Sequence, residues 1–113
     1  MIDSYSFGRM EINGRQYSSD IIIYPNGRLE DNWWRDEGHR LSGKDIAGLI
    51  EAKPELIIVG TGASGLMKVD ENLKEQLQDL GIRLIAKASK EAMDEVNKHW
   101  GDGRTGACFH LTC

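Results

Sequence analysis

A chain of 113 residues, 40% hydrophobic and 28% charged, is long enough for one buried core and too short for a cofactor domain plus a substrate domain. Fourteen basic against eighteen acidic residues leave a formal charge of −4, which argues against a nucleic-acid binder that works by displacing counterions with clustered cations. No stretch approaches the roughly 18 apolar residues of a membrane span, and Met1-Ile2-Asp3-Ser4-Tyr5 lacks the basic and then apolar opening of a secretory signal, so the expected location is the cytoplasm.

The first third reads as β structure. Met10-Glu11-Ile12 and Arg15-Gln16-Tyr17 flank Asn13-Gly14, a pair that favours two-residue hairpin loops because both turn positions need positive φ. Such a loop pairs Ile12 with Arg15 and Met10 with Tyr17, and the latter two then pack on one face. Gly8 interrupts the alternation begun by Tyr5 and Phe7, which suggests a bulge. Ile21-Ile22-Ile23-Tyr24 is apolar on both faces and fits a covered central strand. Pro25-Asn26-Gly27 turns the chain, and Leu29 to Trp34 can return as a fourth strand.

From Leu41 onwards helices and strands alternate. Ser42 and Asp45 stand at reciprocal capping positions, Leu41 can staple to Ile46, and Ile46, Leu49 and Ile50 form a stripe that Pro54 ends. Leu56 to Val59 is a short buried strand. Asp70 can cap a second helix, with Leu73, Leu77 and Leu80 at helical spacing and Gly81 at its left-handed terminus. Ile82 to Ala86 is the next strand, and Ser89 can cap a third helix that carries Ala92, Val96 and Trp100. Thr105 to Thr112 makes a last strand. The expected architecture is a single α/β domain over residues 1–113. It has a mixed central sheet flanked by about three helices, with an N-terminal hairpin packed alongside. The hairpin region covers about residues 4–35 and the α/β region about residues 42–113.

One run invites a chemical reading. Gly60-Thr61-Gly62-Ala63-Ser64-Gly65 follows a strand with the glycine spacing of a dinucleotide loop. That fingerprint requires a helix starting within the motif, so that free amides and the dipole face the pyrophosphate. Here Leu66-Met67-Lys68-Val69 intervenes, and the strand that should end in a ribose-binding acid ends in Ala86-Lys87. An NADP-like nucleotide enzyme is therefore the alternative, and a sharp turn behind a central strand is the main reading. Between them lies a small-anion pocket built from Gly60, Thr61, Gly62, Ser64 and Gly65, with Lys68 and His110 beside it.

Cys108-Phe109-His110-Leu111-Thr112-Cys113 resembles a metal or thiol site at first sight. In an extended strand Cys108 and His110 share a face and Cys113 points to the other, so no metal site, no catalytic dyad and no cofactor are expected. Both thiols read as reduced, with Cys108 a small core residue.

Trp33, Trp34 and Arg35, followed by His39 and Arg40, are the candidate interface. Tryptophan and arginine dominate binding hot spots because they desolvate large areas with few rotamers. One of two adjacent tryptophans in a strand faces the core, and the other is either covered by the hairpin or available to a partner.

Several pieces together resemble a domain-of-unknown-function family that includes the human adipogenesis-associated domain protein and a mitochondrial complex I assembly factor. They are Phe7-Gly8, Asn13-Gly14 leading to Tyr17, Pro25-Asn26-Gly27, Trp34-Arg35 with Gly38-His39, and Leu56 to Gly62. Lys68-Val69, Leu80-Gly81-Ile82, Ala92 with Asn97, and the tail from Gly106 to Cys113 complete the set. The resemblance implies a compact α/β domain with no established enzymatic activity and no obligatory cofactor. It implies an accessory or assembly role in contact with other proteins, and the surface near Trp33, Trp34 and Arg35 is expected to meet a protein partner or a second copy of the chain.

Overall fold

In the computed structural model, which describes residues 1–113, the chain opens with three antiparallel strands. These are β1 (Ile2–Ser6), β2 (Arg9–Ile12) and β3 (Arg15–Tyr17). Asn13 and Gly14 take φ of 51° and 82°, which sets Ile12 against Arg15 and Met10 against Tyr17 as the spacing predicts. Gly8 corrects one expectation. Its φ of 75° closes a second hairpin turn between β1 and β2 rather than a bulge, and the ladder irregularity falls between Ile2 and Ser4.

The chain continues through β4 (Ile21–Ile23), β5 (Leu29–Glu30) and β6 (Arg40–Leu41). A 3-10 turn over Gly43–Ile46 then runs into α1 (Ala47–Glu51). Next come β7 (Leu56–Thr61), β8 (Lys68–Val69), α2 (Glu71–Asp79) and β9 (Arg83–Lys87). α3 (Ser89–Lys98) and β10 (Thr105–His110) complete the fold. The central sheet has the order β5-β4-β10-β7-β9. β10, β7 and β9 are parallel and β4 is antiparallel to β10, so the sheet is mixed.

The period of two in each central strand divides the core into two layers. Ile22, Ile57, Val59 and Cys108 face α1 and α2, where Leu49, Leu73 and Leu77 close the layer with Trp33. Ile21, Ile23, Ile58, Ala107 and Phe109 face the other way and meet Ala92 and Val96 of α3 with Ile2, Met10 and Ile12 of the N-terminal sheet. The N-terminal strands thus pack against the same face as α3. Asn97 ties the two together by donating from Nδ2 to Ile2 O and accepting from Ile2 N, both at 2.9 Å.

Elements differ from expectation where local polarity overrides the pattern. The fourth strand stops at Glu30, because Asn32 takes a left-handed φ of 52° and Trp33 turns into the core. Leu80 ends α2 exposed rather than on its buried stripe. The parallel ribbon of β6 and β8, Arg40 opposite Lys68 and Leu41 opposite Val69, has no counterpart in the sequence reading. No helix is long and apolar enough to cross a membrane.

Candidate functional site

Ligand sites of parallel α/β sheets gather at the carboxyl ends of the strands, and this is where the polar side chains of this chain converge. β7 and β10 end side by side, with His110 opposite Thr61. β4 enters antiparallel at Ile21 opposite Phe109, so Asp20 stands at the end of β10. Its Oδ1 accepts from Leu111 N at 2.8 Å. Its Oδ2 lies 2.8 Å from both Arg35 Nη1 and His110 Nδ1. Arg35 Nη2 donates to Gly38 O at 3.0 Å and approaches His110 Nδ1 at 3.0 Å. The Arg35 guanidinium also covers the Trp33 ring at 4.7 Å, and its side chain is only 5% exposed.

His110 Nδ1 therefore faces an acceptor and a donor together. The Asp20 carboxylate is the closer partner, and Arg35 already donates to both Asp20 and Gly38, so the proton belongs on Nδ1. Nε2 then carries a lone pair. It is buried without a hydrogen-bond partner, as is Arg35 Nε. His39 and Cys113 lie on the same side: one ligand-type atom from each of His39, His110 and Cys113 falls within 4.8 Å of the others. This corrects the expectation that Cys113 points away from His110. β10 ends at His110, and Cys113 takes a φ of 42° instead of continuing the strand. Cys108, by contrast, is fully buried, and burial pushes its thiol up to about 12, with the Arg35 charge opposing. A thiol held neutral to that extent is no nucleophile.

The glycine run separates into parts with different duties. Gly60 and Thr61 belong to β7 rather than to a loop. A Cβ on Gly60 would lie 2.4 Å from Phe109 Cδ1, so this glycine admits the aromatic ring. Gly62 takes a φ of +104°, and a Cβ there would meet Thr112 O at 2.5 Å and Cys113 O at 2.7 Å. Gly62 N donates to Ser89 Oγ at 3.0 Å, Ala63 N to Thr112 O, Gly65 N to Gly62 O and Met67 N to Thr61 O. These amides are engaged within the chain, which leaves those of Ser64 and Leu66 outside the set. Lys68 sits on β8 beside Arg40. The following helix starts at Glu71 behind Asp70, so no helix terminus opens within the motif.

Ser89 has a different role from the expected cap. Its side chain is fully buried, accepts from Gly62 N and donates to His110 O at 2.6 Å. It joins the start of α3 to the ends of β7 and β10. Asp20 and Ser89 were the two residues of this cluster that sequence reasoning missed. The signal for Asp20 was a lone carboxylate directly before an all-apolar strand.

The interface candidates divide. Trp33 is 8% exposed, with Nε1 donating to Asp45 O at 2.9 Å. Arg35 is buried in the ion pair just described. Trp33 and Arg35 are thus enclosed within the chain, one of the two tryptophans facing the core as expected, while Trp34, 85% exposed, is the aromatic at the surface. Trp34 borders a cleft lined by Ser19, Asp20, Asn32 and Arg35. His39 is exposed. Arg40 is half-exposed and paired with Asp70 at 3.1 Å, whose hydrogen bond and charge raise the guanidinium's pKa.

The model of a family described as a protein of unknown function (DUF498/DUF598) matches residues 2–111. The chain is similar to the conserved hypothetical protein PH1505 from Pyrococcus horikoshii OT3 at 28% identity and a TM-score of 0.86, covering 100% of this chain and 99% of that one. It is similar to a structure named MT938 at 27% identity and a TM-score of 0.81, covering 100% and 98%. It shares its fold with a Bordetella pertussis protein described as a Mth938-like domain, at 18% identity and a TM-score of 0.68, covering 97% and 84%.

Proposed function

We propose, for a chain that belongs to the DUF498/DUF598 family, a role as a non-enzymatic accessory domain that binds a protein partner, or a second copy of itself, through Trp34. The observation that carries this reading is the exposure of Trp34 between two locked neighbours, Trp33 and Arg35. A large, rigid indole exposed to water has few rotamers to lose on binding and much area to desolvate, which is the physical basis of an aromatic hot spot. The resemblance to a family with an assembly factor among its members supports the same direction. Gly60–Gly65 serves as scaffold in this reading, because the amides of Gly62, Ala63 and Gly65 are taken up by Ser89, Thr112 and the run's own turn.

The test compares wild type with Trp34→Ala in two measurements. Light scattering across a concentration series reads self-association, and capture from the source extract reads a hetero-partner. Association lost in the variant, with the unfolding midpoint retained, is the expected result. If the variant associates as wild type does in both measurements, the reading is wrong.

A further inference from the structure

We infer that His39, His110 and Cys113 form a binding site for a borderline transition-metal ion of the zinc or cobalt(II) type. The inference does not depend on the Trp34 reading. Three chain segments deliver the ligands: the loop ahead of β6, the last residue of β10, and the irregular segment that follows it. Their ligand atoms already lie within 4.8 Å of one another. A tetrahedral ion with bonds of about 2.0–2.3 Å holds its ligand atoms about 3.5 Å apart, so the required closure is on the order of 1 Å. The movable partners supply it: His39 is exposed and Cys113 half-buried, while His110 is fixed.

The support behind His110 is what separates this cluster from a chance gathering. A metal-ligating imidazole usually donates its other N–H to a carboxylate, which sets the tautomer and strengthens the ligand. Asp20 Oδ2, at 2.8 Å from His110 Nδ1, is that carboxylate. The opposite nitrogen, Nε2, is buried in a side chain only 8% exposed and has no partner within the chain. A buried polar atom without a partner is costly, and an ion accepting its lone pair removes the cost. His39 is anchored on both sides: Gly38 O accepts from Arg35 Nη2, and His39 O accepts from Lys68 N at 2.8 Å. The charges are compatible, since Arg35 is neutralised by Asp20 and a Cys113 thiolate offsets part of the ion's charge. Nitrogen, nitrogen and sulfur donors suit zinc or cobalt(II) over magnesium or calcium. Three protein ligands leave a fourth position for water or for a donor from a partner.

Cobalt(II) titration of the reduced protein, followed by zinc competition against a chromophoric chelator, tests the site. One equivalent should bind, with the intense visible bands of four-coordinate cobalt and a thiolate-to-cobalt charge-transfer band. His39→Ala and Cys113→Ser, neither in the core, should each weaken binding at least about tenfold, the lower bound for loss of a hydrogen-bond partner behind a ligand. Cys113→Ser should also abolish the charge-transfer band. Asp20→Asn should weaken binding about tenfold or more, because an amide donating to Nδ1 moves the proton to Nε2. No uptake by wild type at micromolar metal overturns the inference. So does undiminished affinity in either His39→Ala or Cys113→Ser, since the ion then sits elsewhere.

Discussion

Asp20 and His110 stand ninety residues apart in the chain, yet Asp20 Oδ2 and His110 Nδ1 are 2.8 Å apart. The same carboxylate holds Leu111 N and Arg35 Nη1, so one side chain joins the entry of β4, the exit of β10 and the Trp33–Arg35 loop. Removing one member of a buried, hydrogen-bonded ion pair leaves an uncompensated charge, at a cost of about 3–5 kcal/mol. Asp20→Ala should lower stability by that amount in urea titration, because Arg35, 5% exposed, loses its only carboxylate partner. A loss below about 1 kcal/mol would place the pair among the exposed bridges that contribute little.

Gly62→Ala should destabilise the fold without any ligand present. The φ of +104° alone costs an alanine about 1–3 kcal/mol, and the new methyl group would meet the carbonyl oxygens of Thr112 and Cys113. Gly103→Ala is the control. It also has positive φ, but nothing lies within 4 Å of its Cβ position, so it should cost only about 1 kcal/mol. A glycine kept open for a phosphate would show the opposite pattern, with stability retained and ligand binding lost. Equal urea midpoints for Gly62→Ala and Gly103→Ala would remove the packing explanation.

Trp33 and Trp34 are adjacent and should respond in opposite ways. Trp33→Ala empties a core position and orphans Asp45 O, for a loss of about 3–5 kcal/mol. Trp34→Ala removes a side chain that is 85% exposed, so stability should stay within about 0.5 kcal/mol. Thermal unfolding of the two variants checks the pair, and a large loss in Trp34→Ala would mean that the ring supports the loop rather than awaiting a partner.

Local signals carried much of this fold. Asn13-Gly14, Gly81 and the apolar period of the central strands each specify a conformation through their own chemistry, so the hairpin, the end of α2 and the mixed sheet were legible. The site was legible only in part. Arg35, His39 and His110 stood out as residue types, but their meeting depends on β4 running antiparallel to β10, a pairing between distant segments that no local pattern encodes. The same holds for Ser89, whose position suggested a helix cap while tertiary contacts turned its hydroxyl to Gly62 and His110. Strand periodicity says nothing of Cys113, because the strand ends at His110 and the chain then leaves the sheet.

Cys108 should make the protein sensitive to alkali. Burial raises its thiol from 9.0 to about 12 in the folded chain, so the folded state keeps the proton while the unfolded state releases it. Stability is then full below about pH 9 and falls as pH climbs towards 12, by about 1.4 kcal/mol per unit. Tyr5 and Tyr24, also raised by burial, add to the decline at higher pH. Urea midpoints taken between about pH 8 and pH 10, where only the first of these effects is large, isolate the thiol. Cys108→Ala should start less stable, since it leaves a small cavity, yet lose less as pH rises, so the two profiles converge. Parallel profiles would show that Cys108 ionises as readily inside the sheet as outside it.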